Sequence, residues 1–259
     1  MTIPRHNGAV TAGIDPSTST DDLYDGAAVR RLFDRMSRSY ERMNIVMSFG
    51  FSVRWRRQVI ALVPPQATGA RVLDAMCGMG ETWSELLRRF PDAHLEALDF
   101  SPVMVQHALE RNAERFGSRF TVHTEDMLAS SLDDGTLDVV VSAYGLKTFS
   151  EEQSVVFADE LARTLKPGGR FAFIEVTEPP NPVLRSLYRF YLGIVVPVIG
   201  TLLVSDPTEY RMLHRYLARY GNGDRSARAL AAHPELVVER RSHFFGCATS
   251  FAGHRIDAA

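Results

Sequence analysis

The sequence predicts an α/β fold: a mostly parallel central sheet, helices on both faces, and an antiparallel strand pair at the C-terminal end. Three observations carry this prediction. Short apolar runs alternate with amphipathic segments of helical period from Arg71 to Thr177, the rhythm of a parallel sheet covered on both sides. A strand, a glycine loop and a helix follow one another over Val72–Trp83, as in Rossmann-like units. Beyond the prolines at 179 and 180 the rhythm changes, and the chain ends in two strand-like runs.

Taken in order, residues 1–24 are rich in Thr, Ser, Gly, Pro and Asp without hydrophobic period, and read as a disordered tail. From Ala27, Val29, Leu32, Phe33 and Met36 recur at helical steps, with Tyr40 and Met43 continuing the face. A second helix is expected over Val53–Val63, ending before Pro64. Strands follow at Arg71–Met76, His94–Asp99, Arg119–Thr124, Leu137–Ala143 and Arg170–Thr177, the last after a K-P-G-G turn. Helices are expected at Glu81–Phe90, Pro102–Phe116 and Glu151–Leu165, the middle one with Ser101 as N-cap and Pro102 in its first turn. A long apolar helical stretch covers Val183–Val204, a further helix lies near Tyr210–Tyr220, and the final strands are Glu235–His243 and Phe244–Arg255. The whole reads as one domain over 25–259, with an N-terminal helical cap (25–64) and a substrate-side helical insertion (180–220).

Composition narrows the function classes. The 259 residues are 45% hydrophobic and 23% charged, an ordinary globular balance. A net charge of −2 lacks the basic excess that nucleic-acid binding requires. Two cysteines, Cys77 and Cys247, stand far apart with no metal-ligand spacing, so no metal site is expected and a reducing, cytoplasmic setting is. Leu192–Val204 is shorter than the roughly 20 apolar residues of a membrane span, so no transmembrane segment is predicted.

The informative stretch is V-L-D-A-M-C-G-M-G-E-T-W (Val72–Trp83). Gly78 and Gly80 let backbone turn tightly and approach a ligand, and Ala75 lies between the strand acid and the loop. Asp99 ends the next strand, where a carboxylate can accept from ribose hydroxyls, with Phe100 beside it. A dinucleotide is disfavoured. Trp83 stands where the third glycine of G-x-G-x-x-G belongs, and Asp74 and Glu81 would repel a pyrophosphate. The sulfonium and ammonium of S-adenosylmethionine suit those carboxylates. Asp126, next to Met127, falls where a loop can reach an adenine amino group, or else is a helix N-cap or a solvated loop acid. Asp74, Asp99, Asp126 and Ser142 all lie at carboxyl ends of strands, where open α/β sheets bind ligands.

Several blocks resemble the ubiquinone/menaquinone biosynthesis C-methyltransferase family. They are F-D-R-M-S-R-S-Y-E-R-M-N (Phe33–Asn44), S-F-G with R-W-R-R (Arg54–Arg57), the glycine loop, L-D-F-S (Leu98–Ser101) and S-A-Y-G-L-K (Ser142–Lys147). L-K-P-G-G-R (Leu165–Arg170), E-P-P-N-P (Glu178–Pro182) and S-D-P-T-E-Y (Ser205–Tyr210) continue it. The resemblance implies a class I methyltransferase fold, S-adenosylmethionine as cofactor, and methyl transfer to carbon of a prenylated quinol ring. It places Tyr40 and the Ser142–Lys147 loop near that ring. This chain departs from the family pattern with M-C-G-M-G-E in the loop, Lys147-Thr148 where Arg-Asn is usual, and a different C-terminal ending.

A phenolic carbon becomes nucleophilic as its neighbouring hydroxyl loses a proton, so a base or an oxyanion-holding cation is sought. Lys147 is the candidate cation, and Tyr40 and His214 are candidate proton-handling groups. The acceptor is expected to be small and apolar or aromatic; peripheral membrane contact and a homo-oligomer are further expectations. Alternatives are methyl transfer to carbon, oxygen or nitrogen of another small molecule, such as a secondary metabolite, and a non-catalytic cofactor-binding subunit. A side chain at Gly80 is expected to fill the space of the methionine moiety and block binding without unfolding.

Overall fold

The computed structural model describes residues 23–36, 45, 48–196 and 208–256. Residues 1–22 of the expected tail and Tyr40 lie outside these residues. Leu23 and Tyr24, expected in the tail, instead pack onto the domain: Leu23 is buried, and the carbonyls of both accept side-chain hydrogen bonds, from Tyr216 and Gln153 respectively. Seven strands, β1 (Arg71–Ala75), β2 (His94–Asp99), β3 (Phe120–Thr124), β4 (Leu137–Ala143), β5 (Leu165–Val176), β6 (Leu236–His243) and β7 (Ala248–Arg255), form one sheet. Its order is β3-β2-β1-β4-β5-β7-β6. The first five strands are parallel, and β7 pairs antiparallel with both β5 and β6, as the sequence predicts. The chain reverses its direction of travel across the sheet between β1 and β4, which leaves a crevice at their carboxyl ends.

Alternating residues of each strand point to opposite faces. Leu73, Leu98, Val140, Phe171 and Phe173 pack on one side with Phe157 and Leu161 of the helix Glu151–Thr164 and Leu230 of the helix Asp224–Ala232. Val72, Leu95, Val139, Val141 and Ile174 pack on the other with Trp55, Val59 and Ile60 of Phe51–Ala61 and Leu86 of Trp83–Arg89. Asp74 shares the parity of Val72, and the pleat therefore turns it toward this second helical layer.

Numbered in chain order, the α-helices are α1 (Gly26–Met36), α2 (Phe51–Ala61), α3 (Trp83–Arg89), α4 (Pro102–Phe116), α5 (Glu151–Thr164), α6 (Pro182–Phe190), α7 (Thr208–Tyr220) and α8 (Asp224–Ala232). Their ends follow local chemistry. Ser101 Oγ accepts from the Met104 N–H at 3.1 Å, the predicted cap of α4, and Ser150 with Gln153 makes a full capping box on α5. Asp25 accepts from the Ala28 N–H at 2.8 Å at the start of α1. Ser101 Oγ also donates to Asp34 of α1 at 2.5 Å, tying this helix to the carboxyl end of β2.

Four features differ from the sequence reading. The K-P-G-G motif is no separate turn but an irregularity inside β5, where pairing jumps from Leu137–Leu165 to Val139–Arg170. Helix α8 was not foreseen, and Phe244 belongs to a tight turn rather than to β7. Helix α6 runs on into a π-helical turn at Tyr191–Val195. Among the described residues no helix is long and apolar enough to cross a membrane.

Candidate active site

Two adjoining spaces open at the carboxyl ends of β1, β2 and β4. The first is a cleft walled by Asp74, Gly78, Glu81, Asp99, Phe100, Asp126, Met127 and Tyr144. Asp99 is locked in place by backbone: Oδ2 accepts from Gly78 N–H and Oδ1 from Ser101 N–H, both at 2.9 Å. Burial raises its carboxyl to about 6 against those two hydrogen bonds. Asp74 Oδ2 accepts from Thr82 Oγ1 at 2.5 Å and from Trp83 Nε1 at 3.1 Å. Its Oδ1 is buried with no hydrogen-bond partner among the described residues. Burial, with the charge of Glu81 adding to it, raises the Asp74 carboxyl to about 7. A buried, half-satisfied carboxylate beside other acids calls for a cationic hydrogen-bond donor, and the ammonium of S-adenosylmethionine fits that demand.

The glycine loop holds two different glycines. Gly78 sits at φ 56° in the cleft wall, and an added Cβ would lie 3.2 Å from Glu81 Oε2. Gly80, at φ 76°, is buried behind the wall, and a Cβ there would meet the Trp83 ring at 2.5 Å. The expectation that Gly80 makes room for ligand is thus corrected: it makes room for Trp83, which stacks on Phe120 at 4.1 Å. Ala75 and Ser142 are also buried outside the cleft wall. Asp126 lines the cleft, and its side chain also accepts from Leu128 N–H at 2.9 Å within its own turn.

The second space is a largely apolar cavity of about 440 Å³ that shares the Tyr144 wall with the cleft. Phe49, Phe51, Trp55, Leu192, Leu213 and Leu217 supply apolar lining, and Lys147, Tyr188 and His214 supply polar groups. Tyr144 is held in the left-handed region at φ 72°, an uncommon state for a bulky residue. Its hydroxyl donates to the Ser52 carbonyl at 2.7 Å, and the Arg56 guanidinium lies 5.2 Å from its ring centre.

Lys147 is no solvated loop lysine. It is 6% exposed, its Nζ pairs with Glu175 Oε1 at 3.1 Å and donates to the Tyr144 carbonyl, and its N–H donates to Glu175 Oε2 at 3.0 Å. The pair braces the strained Tyr144 backbone. Two of the three ammonium donors are spent this way, which leaves one for the cavity. Sequence reasoning did not single out Thr82 or Glu175, and it reached Tyr144 only as part of the Ser142–Lys147 loop. Glu175 left a signal, because an acid inside F-A-F-I-E-V must either leave the core or find a cation.

The ubiE/COQ5 methyltransferase family model matches residues 20–255. The chain belongs to that family. A demethylmenaquinone methyltransferase of Thermus thermophilus is 31% identical over 224 residues, 86% of this chain and 100% of the relative. A ubiquinone/menaquinone biosynthesis C-methyltransferase UbiE of Syntrophotalea carbinolica is 34% identical, over 74% of this chain and 79% of its own length. Among solved structures, an S-adenosylmethionine-dependent methyltransferase of Methanococcus maripaludis superposes with a TM-score of 0.59 at 16% identity, covering 95% of this chain and 99% of that one. Geranyl diphosphate C-methyltransferase of Streptomyces coelicolor gives 0.55 at 16% identity over 79% and 77%. These likenesses are of fold. The protein is a methyltransferase that uses S-adenosylmethionine, with the class I fold read from the sequence.

Proposed function

We propose that this family member methylates a ring carbon of a phenol- or quinol-like apolar acceptor. The observation that carries the reading is the apolar cavity sharing Tyr144 with the cofactor cleft, of a size typical of small-molecule sites. The names of the curated relatives, which specify demethylmenaquinone and C-methylation, point the same way.

Bound cofactor supplies a methyl carbon on a sulfonium, open to in-line attack. The chain's own residues position, neutralise and exclude water. Asp74 Oδ1 would receive the ammonium, Asp99 the ribose hydroxyls and Asp126 the adenine amino group. Tyr144, clamped by Ser52, Arg56 and Lys147, sets the wall along which the acceptor meets the methyl group. The third N–H of Lys147 serves the acceptor oxygen as negative charge gathers there, with Glu175 tempering the lysine's charge. His214 is the candidate base for the acceptor hydroxyl, and Tyr40 is a further proton-handling candidate that rests on the family motif.

Exposed apolar side chains rim the cavity: Phe49 and Phe244 line it, and Phe245 packs against Phe244. We take this rim as the face that meets a lipid surface when the acceptor is membrane-borne. The test is a panel of reduced quinols with apolar tails of increasing length, assayed for initial rate with labelled cofactor. Rising kcat/KM with tail length is expected. Preference for polar acceptors, or methyl found on oxygen or nitrogen, would move the reading to another small molecule.

A further inference from the structure

The acceptor cavity contains polar groups that the fold itself does not use. The hydroxyls of Ser48 and Ser52 bond each other at 2.9 Å, and the Tyr144 hydroxyl is taken by the Ser52 carbonyl. The Lys147 ammonium is largely taken by Glu175 and the Tyr144 carbonyl. The Tyr188 hydroxyl and the His214 imidazole differ: neither is hydrogen-bonded to any described residue, though both line the cavity. Polar groups enclosed by apolar walls lose hydration without recompense unless a ligand or water answers them.

Local structure explains their position. Asn181 caps α6 by accepting from Val183 and Leu184 N–H at 2.9 and 3.2 Å, and Pro182 opens the helix. That start directs Val183, Leu187 and Phe190 outward and Tyr188 inward. The helix then widens into the π-helical turn at Tyr191–Val195, a device often found where helices carry function. Within this turn Gly193 presents bare backbone to α7. A Cβ there would lie 3.5 Å from His214 Cε1 and Nε2, so the imidazole rests against the same helical strip that carries Tyr188. Tyr188 stands near the Glu175 and Cys247 end of the cavity. Burial there pushes its phenol far above the ordinary range, which keeps the hydroxyl a donor.

We infer that Tyr188 and His214 are the contacts by which the cavity reads an oxygenated aromatic ring, Tyr188 donating to an acceptor oxygen and His214 accepting from an acceptor hydroxyl. The inference rests on the phenol-like reading above and adds the residues that tell an oxygenated ring from a bare hydrocarbon. It assigns them to positioning and specificity, since a site built to hydrogen-bond an oxygen discriminates strongly against an analogue lacking it.

The test is binding of three fluorescent probes, naphthalene, methoxynaphthalene and naphthol, to the full chain with S-adenosylhomocysteine present. The parent should bind naphthol best and naphthalene least. Tyr188→Phe should weaken methoxynaphthalene and naphthol about tenfold each, the loss of one hydrogen bond, and leave naphthalene unchanged. His214→Leu should weaken naphthol by a similar factor and spare methoxynaphthalene, which has no proton to give. His214→Gln, which keeps an acceptor oxygen, should recover part of the naphthol affinity and guards against a packing effect of leucine. Equal binding of naphthol and naphthalene by the parent would overturn the inference while leaving the apolar acceptor cavity standing, as would variants that bind all three probes like the parent. Failure of the parent to bind any of them would overturn the acceptor reading and the inference together.

Discussion

At the scale of single residues, the account rests on carboxylates buried in a cleft meant for a cation. Asp74 and Asp99, raised to about 7 and about 6, hold their protons to higher pH in the ligand-free protein than ordinary carboxyls do. A folded-state pKa above the unfolded one contributes stability that is present below the unfolded pKa and lost as pH rises through the folded value. The ligand-free protein therefore gives up this contribution between about pH 4 and 7. The cationic cofactor prefers the ionised acids, so its affinity should rise with pH from 5 to 7, by up to about tenfold per unit for each proton displaced. Calorimetric titration across that range checks this, and a flat or falling affinity would contradict it. Asp99→Ala should weaken cofactor binding by about 1.5–3 kcal/mol. It should also lower the melting temperature, because Gly78 and Ser101 N–H lose their acceptor. Lys147→Met should cost about 3–5 kcal/mol of stability by orphaning buried Glu175, more than a loop lysine could. The double change with Glu175→Gln should restore much of the melting temperature yet leave turnover low, since Tyr144 is no longer braced. Chemical denaturation and single-turnover assays separate the two.

At the scale of elements, the glycine loop shows where sequence stops short. Its position between β1 and α3 was legible, and so were Asp74, Gly78 and Asp99, because strand ends and spacing define them. The job of Gly80 was not, because the ring that claims its space is set by the stacking of Trp83 on Phe120, a partner from a distant strand. Gly80→Val should therefore destabilise the fold by several kcal/mol, through overpacking and left-handed strain, rather than selectively block cofactor. A melt that matches the parent would restore the earlier reading. Helix α8 escaped notice because only Ser226, Ala229 and Leu230 face inward, a short stripe among arginines and alanines. The β6–β7 turn carries Phe244 and Phe245 at positive φ, with Phe245 74% exposed. Under the membrane proposal this strained, exposed turn is part of the contacting surface. Replacing Phe49 and Phe245 by Ser should reduce partitioning to liposomes by roughly tenfold or more, given about 1.5–3 kcal/mol per buried large apolar side chain. Co-sedimentation unchanged by both substitutions would remove the rim from the membrane proposal.

At the scale of the whole molecule, the order and direction of the strands followed from periodicity and connection lengths, which fix a parallel sheet with few alternatives. The cleft proposed for the cofactor lies at the switch point between β1 and β4, a position that strand order alone marks out. The acceptor cavity was not readable as a shape. It is assembled from α2, the loop after β4, the α6–π segment, α7 and the β6–β7 turn, which lie far apart in sequence and meet only through packing. Lys147 and His214 could be picked out singly, but their surroundings could not: the Glu175 pairing of one and the Gly193 backing of the other depend on tertiary register.

The central claim is that the methyl group is delivered to a ring carbon of an oxygenated aromatic held in this cavity. The direct measurement is a reaction of the full chain with reduced quinol and cofactor labelled with carbon-13 in its methyl group, followed by NMR of the isolated product. The account predicts label in a methyl group bonded to ring carbon beside a hydroxyl-bearing position, formed by the parent and strongly reduced in the Lys147→Met and Glu175→Gln double variant. Label on oxygen, or no labelled product from a protein that binds both cofactor and quinol, would contradict it.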